Sequence, residues 1–262
     1  MEIRELRDKA RIEAFLRGNC ELYVYSIGDL DDFFWPHTRC LAWEDGGEVR
    51  DIVLIYSGGA LPTVIGISER PDSIRALLGE VSGLLPRQFH AHLSPGVEAA
   101  FRSDCEIEPH GAHCKMALRD LPRVGEIDCS DVERLTEADL NVVLKFYEES
   151  YPGNWFDERM LETGQYFGLR KGGHLVSVAG VHVYSRRYRV AALGNIATHP
   201  ACRRRGCGRL VTARLCQELR EDVDHIGLNV RADNDAAVRC YKGLGFEIIA
   251  SYGEFNIRLS AR

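Results

Sequence analysis

The chain has 262 residues, 45% of them hydrophobic, enough for one large core or two modest ones, so two domains are expected. Its 33 Lys and Arg against 39 Asp and Glu give a formal net charge of -6, a bulk field that repels nucleic acid and anionic membrane and leaves any anionic ligand to a local patch. No apolar run approaches the roughly 20 residues that span a bilayer, and the charged opening Met1 to Asp8 lacks the apolar core of an export signal, so a cytoplasmic protein is expected.

In the front half, Asp29-Leu30-Asp31-Asp32-Phe33-Phe34-Trp35 offers acids and aromatics suited to a cationic amine, and equally reads as an acidic helix start beside a buried aromatic cluster. Asp51 to Tyr56 and Thr63 to Ile67 read as strands, and Asp72 to Val81 has a capping residue and apolar residues at helical spacing, giving a β-β-α-β order. Phe89 to His92, Pro95 to Phe101, Ile107 and Lys115 to Leu118 repeat the strand-helix-strand-strand order of the chain's last segment. Leu121 to Glu126 carries Pro and Gly between periodic segments, which places a linker there and domains at 1–122 and 127–262.

Beyond it, Val132 to Leu135 reads as a strand, Leu140 to Tyr147 as an amphipathic helix and Asp157 to Leu161 as a short helix. The runs 166–169, 175–184 and 190–198 read as antiparallel strands, followed by a helix at 209–219, a strand at 226–230, a helix at 235–244 and two closing strands at 247–250 and 254–259. The aromatic loop Tyr151 to Phe156 is a candidate cover for a ligand site. Nine single cysteines with no C-x-x-C pair read as free buried thiols. His110-Gly111-Ala112-His113-Cys114 has no second group at ligand spacing, so no metal is expected.

The chemistry concentrates in the turn Arg203-Arg204-Arg205-Gly206-Cys207-Gly208, set between a strand ending in Thr198-His199-Pro200 and an immediate helix. Glycine lets the main chain approach phosphate oxygens, and the first helical turn presents unpaired N–H groups at the positive end of its dipole. The spacing R-x-x-G-x-G is neither a dinucleotide fingerprint nor a P-loop. Together with Asn234 to Phe246, which follows N-x-x-A-x-x-x-Y-x-x-x-G-F, it resembles the acyl-CoA loop and following segment of the GNAT superfamily of N-acetyltransferases over roughly residues 131 to 260.

The resemblance implies an acyl-CoA-dependent N-acyltransferase that moves acetyl from acetyl-CoA, or another short acyl group, to a primary amine of a small molecule or amino acid. It implies a cosubstrate site on Ile196, Ala197, Thr198, Arg203, Arg204, Arg205, Gly206, Cys207, Gly208, Arg209, Asn234, Ala237 and Tyr241. Tyr241 falls where relatives donate a proton to the departing thiolate. Cys207 has no base beside it and is not expected to be a nucleophile. The Glu that many relatives carry before the loop is absent from Leu193 to Ala197, so the base is open between His182, Glu148 or Glu149, and a water held by Asn195.

The implied fold is α/β (α+β), with two GNAT-like lobes, each a mixed, mostly antiparallel sheet flanked by helices. The front lobe is degenerate and only the C-terminal lobe has an acyl-CoA loop. The expected partner is a small-molecule amine, without nucleic acid, membrane or metal, and the reading allows a homodimer. The alternatives are a non-catalytic acyl-CoA sensor or scaffold, and an acetyltransferase of protein lysines or N-termini.

Overall fold

A computed structural model of the chain describes residues 2–101 and 105–260. In chain order it contains β1 (Glu2–Leu6), α1 (Lys9–Leu16), α2 (Val24–Gly28), β2 (Thr38–Asp45), β3 (Glu48–Tyr56), β4 (Thr63–Gly66), α3 (Pro71–Val81), β5 (Gln88–Leu93) and β6 (Glu106–Leu118). There follow α4 (Leu121–Gly125), β7 (Val132–Arg134), α5 (Leu140–Ser150), β8 (Phe167–Lys171), β9 (His174–Ser185), β10 (Val190–Thr198), α6 (Cys207–Leu219), β11 (His225–Arg231), α7 (Asp235–Gly243) and β12 (Phe246–Arg258). Among the described residues no helix is long and apolar enough to cross a membrane, and the nine cysteines are free thiols.

Two compact units emerge. The first comprises Met1–Lys115, Val230–Asp233 and Ile248–Arg262, and the second Met116–Asn229 and Asn234–Glu247. These differ from a single cut between 122 and 127 because β12 carries the end of the chain into the first unit, where Gly253 to Arg258 pair antiparallel with Leu93 to Gln88 of β5. The stretch 121–126 is a short helix capped by Asp120, not an open linker. The two closing strands expected at 247–250 and 254–259 are one continuous strand.

In the first unit the strands run β1-β2-β3-β4-β5-β12-β6. The apolar spacing in α3 puts Ile74, Leu77, Leu78 and Val81 on one stripe, which packs on Val53, Ile55, Phe89, Ala91, Leu93 and Ile257. Alternation along β5 then turns His90 and His92 to the opposite sheet face. Asp29 to Trp35 follows α2 instead of starting a helix, with Asp29, Leu30 and Phe34 buried.

In the second unit the order is β11-β10-β9-β8-β7, with β10 and β11 parallel and the remaining pairs antiparallel. α6 packs across β8, β9 and β10, and α5 across β9 and β10. The alternation in β8 decides the faces: Phe167 lies under the Arg214 guanidinium of α6, whereas Tyr166 reaches the α5 side. Gly180 and Gly194 are paired across β9 and β10, and each carries an aromatic ring in place of a side chain, Tyr166 on Gly180 and His182 on Gly194. Paired residues point to the same sheet face, so both rings share it.

Two measurements check this packing. A methyl group at Gly180 would fall inside the Tyr166 ring, so Gly180→Ala should lower stability by roughly 1–3 kcal/mol, read from the denaturant midpoint. Burial pushes the Asp29 carboxyl up to about 7 from an ordinary value of 3.8. The folded chain thus holds a proton that the unfolded chain has released, and the stabilising contribution is full below the ordinary value and lost as pH rises to about 7. The stability of Asp29→Asn relative to wild type should therefore grow by on the order of 2–4 kcal/mol between about pH 4 and pH 8 in urea titrations, whereas a difference flat with pH would refute the burial argument.

Candidate active site

The turn after β10 has the geometry of a candidate anion cradle. Pro200 to Cys202 form one turn of 3-10 helix, which His199 caps by accepting from the Ala201 N–H at 3.3 Å, so His199 serves the loop. Gly206 precedes α6 at φ 79°, a left-handed conformation that glycine adopts without steric cost, and Arg204 shares that region at φ 61°. α6 begins at Cys207, two residues earlier than its apolar spacing indicated, because the glycine cap starts it. The N–H groups of its first turn therefore open beside Gly206, and 13 helical residues align their dipoles behind them.

The basic side chains divide the work. Arg203 folds back on the protein, donating from Nε to the Thr198 carbonyl oxygen at 3.1 Å and from Nη2 to the Ser150 carbonyl oxygen at 3.4 Å, so it fixes the turn against the ends of β10 and α5. Arg204, Arg205 and Arg209 are exposed and supply positive charge at the cradle. Gly208 leaves room for Thr198, whose hydroxyl lies 2.8 Å from Ser177 Oγ, and Ser177 Oγ donates to the Ala197 carbonyl oxygen at 2.9 Å. Cys207 is buried against the core and so serves packing.

Upstream, β10 is broken in register. Its pairing with β9 shifts between Gly194 and Ala197, and its pairing with β11 ends at Leu193 and Leu228 although β10 continues to Thr198. The bulge is centred on Asn195 at φ 52°, uncommon for a non-glycine residue. Three side chains hold it there. The Tyr147 hydroxyl of α5 donates to the Asn195 carbonyl oxygen at 2.6 Å, Asn195 Nδ2 donates to the Tyr166 hydroxyl at 3.0 Å, and that hydroxyl donates to the Val181 carbonyl oxygen at 3.2 Å. Burial pushes both phenols above their ordinary pKa, so they stay neutral donors. Residues 195 to 198 are thereby left with main-chain groups outside the ladder to β11, as binding of an extended ligand arm requires.

The other expected residues are distributed as follows. Asn234 caps α7 through its Oδ1, which accepts from the Ala237 N–H at 3.2 Å. Tyr241 of α7 is buried against Phe246 with ring centroids 6.0 Å apart, and burial raises its pKa, so it is a phenol able to give a proton. His182 is half-buried over Gly194. Asn195 is occupied by Tyr166, while Glu148 and Glu149 stand exposed on α5, away from the buried side that carries Tyr147.

Tyr147 and Tyr166 were not singled out in the sequence, whereas Phe156 was read as part of the aromatic loop. They stack in series, Phe156 lying 5.2 Å from Tyr147 and 5.5 Å from Tyr166, which anchors the aromatic loop 151–156 over the bulge. The helical phase of Tyr147 marked it as inward-facing, but nothing local tied it to Asn195.

A direct check of the cradle is calorimetry with CoA. Gly206→Asp places a carboxylate where phosphate oxygens would approach, so Kd should rise at least about tenfold, or ~1.4 kcal/mol, without loss of fold by circular dichroism. Equal affinity in the two proteins would show that the anion binds elsewhere.

Residues 131–246 match the family model described as "Acetyltransferase (GNAT) family". The N-alpha-acetyltransferase RimI of Mycobacterium tuberculosis is 32% identical over 129 residues, covering 47% of this chain and 77% of that protein. The ribosomal protein bS18-alanine N-acetyltransferase of Salmonella typhimurium is 46% identical over 57 residues, 21% of this chain and 38% of that protein. Among solved structures, a tandem GNAT protein from the clavulanic acid biosynthesis pathway is similar with a TM-score of 0.56 and 17% identity, over 100% of this chain and 99% of that one, a likeness of fold with two GNAT-like lobes. By the family model and the RimI relative, this chain belongs to the GNAT acetyltransferase family.

Proposed function

We propose that this chain moves the acetyl group of acetyl-CoA directly onto the primary amine of a small molecule or amino acid, in the cytoplasm. The observation that carries the reading is the joint between two devices on one strand. The anion cradle at Gly206 lies just beyond the bulge at Asn195, so a diphosphate on the cradle would send its thiol-bearing arm along residues 198 to 195. Arg204, Arg205, Arg209 and the N–H groups of Gly206, Cys207 and Gly208 hold the diphosphate, Arg203 fixes the turn, and main-chain groups of Ile196, Ala197 and Thr198 hold the arm. Asn234 and Ala237 form the capped start of α7, which sets Tyr241.

The amine nitrogen attacks the thioester carbonyl carbon, and N–H groups of the bulge stabilise the oxygen as it becomes anionic. The C–S bond then breaks, and the Tyr241 hydroxyl gives its proton to the departing thiolate. The proton lost by the amine passes to His182, directly or through a water. Asn195 acts by holding the strand open, since its side chain is committed to Tyr166.

A second reading, in which the acceptor is the N-terminal amine of a protein, is supported by the names of the two curated relatives. Thiol release from acetyl-CoA should be measured with small primary amines, free amino acids and short peptides with free N-termini. Turnover with peptides alone would select the second reading. Tyr241→Phe should lower kcat by roughly 10²–10⁴ with CoA affinity unchanged. No turnover on the whole panel, with acetyl-CoA still bound, would favour a sensor.

A further inference from the structure

The first unit gathers an unusual set of side chains on the sheet face opposite α3. β5 and β12 are paired with Glu254 opposite His92 and Asn256 opposite His90, so alternation brings His90, His92, Tyr252, Glu254 and Asn256 to one side. His113 of β6 completes the group. Three imidazole Nε2 atoms converge on the Glu254 carboxylate: His90 at 3.5 Å, His92 at 3.5 Å and His113 at 3.4 Å. The ligand atoms of His90, His92 and Glu254 all lie within 4.8 Å of one another.

We propose that His90, His92, His113 and Glu254 form a binding site for a divalent transition cation of the zinc class. Two features carry this. The ligand atoms of His90, His92 and Glu254 are close enough together for one ion, and the three Nε2 atoms lie 3.5, 3.5 and 3.4 Å from the Glu254 carboxylate, near the ~3.3–3.5 Å between neighbouring ligands on a zinc. The outer atoms fix the ring orientations. His90 Nδ1 lies 3.1 Å from Asn256 Oδ1, and Asn256 is itself oriented by donating from Nδ2 to Glu108 at 3.3 Å. His113 Nδ1 lies 3.3 Å from the Gly111 carbonyl oxygen. Carbonyl oxygens only accept, so these two Nδ1 atoms carry hydrogen and Nε2 is the atom of each ring turned to Glu254.

The remaining carboxylate valence is satisfied as well, since the Tyr252 hydroxyl donates to Glu254 Oε1 at 2.7 Å. Lys115, two residues beyond His113, rests over the rings of Tyr25 at 4.8 Å and Tyr252 at 5.6 Å. The four ligands are partly buried, with side-chain exposures of 9%, 19%, 10% and 18% for His90, His92, His113 and Glu254, so an ion can enter. The segment 110–114 holds one ligand of the set, and the others lie on strands far away in sequence, which is why ligand spacing gave no metal signal.

The test uses the untagged full chain, stripped with a chelator and titrated with Zn²⁺ against a chromophoric competitor. One equivalent should bind at micromolar or lower Kd. Co²⁺ should give the intense visible bands of four-coordinate nitrogen and oxygen ligands without thiolate charge transfer. His92→Ala and Glu254→Gln should bind at least about tenfold more weakly, and Asn256→Leu, which removes only the orienting contact, should show part of that loss. His174→Ala, an exposed histidine of β9, should bind as wild type. Zn²⁺ should raise the wild-type thermal midpoint, and a chelator should reverse the rise. The proposal is overturned if stripped wild type binds no more Zn²⁺ than His92→Ala, if cobalt reports thiolates, or if His174→Ala loses the metal. The wild-type measurement decides even where a variant fails to fold.

Discussion

The strained main chain at Asn195 is the constraint on which the candidate active centre depends. A left-handed residue inside a strand costs on the order of 1–3 kcal/mol and persists only where its surroundings over-determine it. Here the Tyr147 hydroxyl takes the carbonyl, the Tyr166 hydroxyl takes the side-chain amide, and Gly180 gives the Tyr166 ring a place to lie. The result is a strand that leaves its partner after Leu193, just before the turn proposed to meet the charge of the cosubstrate. α5, β9 and the residue just before β8 thus hold the bulge of β10 in place.

The parts legible in the sequence are those made by neighbours in the chain. Gly206, the arginines beside it and the capped start of α7 can be read in order, because a cap, a turn and a helical first turn are local geometry. The register shift at Asn195 was not legible, since it depends on Tyr147 and Tyr166, far away in sequence. The same reason hid the histidine group of the first unit, whose members come from β5, β6 and β12. The closing strand was misread as two because Ser251-Tyr252-Gly253 has turn composition, whereas Tyr252 is a buried residue of one unbroken strand.

In the first unit, the alternation of β5 separates two environments with no change of element. Phe89, Ala91 and Leu93 belong to the apolar core under α3, and His90 and His92 between them carry the polar face. Such a strand tolerates no slip by one residue, because a slip would bury both imidazoles under α3 and expose the phenylalanine. The pairing of β12 with β5, carboxylate opposite imidazole and amide opposite imidazole, specifies that register from the partner's side.

The placement of β12 also has a consequence for how the chain acquires its structure during synthesis. The strand that completes β5 lies at residues 246–258, whereas β5 lies at 88–93, and all of the second unit except Phe246 and Glu247 is made between them. The first unit therefore waits with an unpaired edge on β5 while the second unit can already close, except for Asn234–Glu247. Contacts of such long sequence separation form slowly, and the later arrival of this strand defers the completion of the front half until most of the second unit has been made.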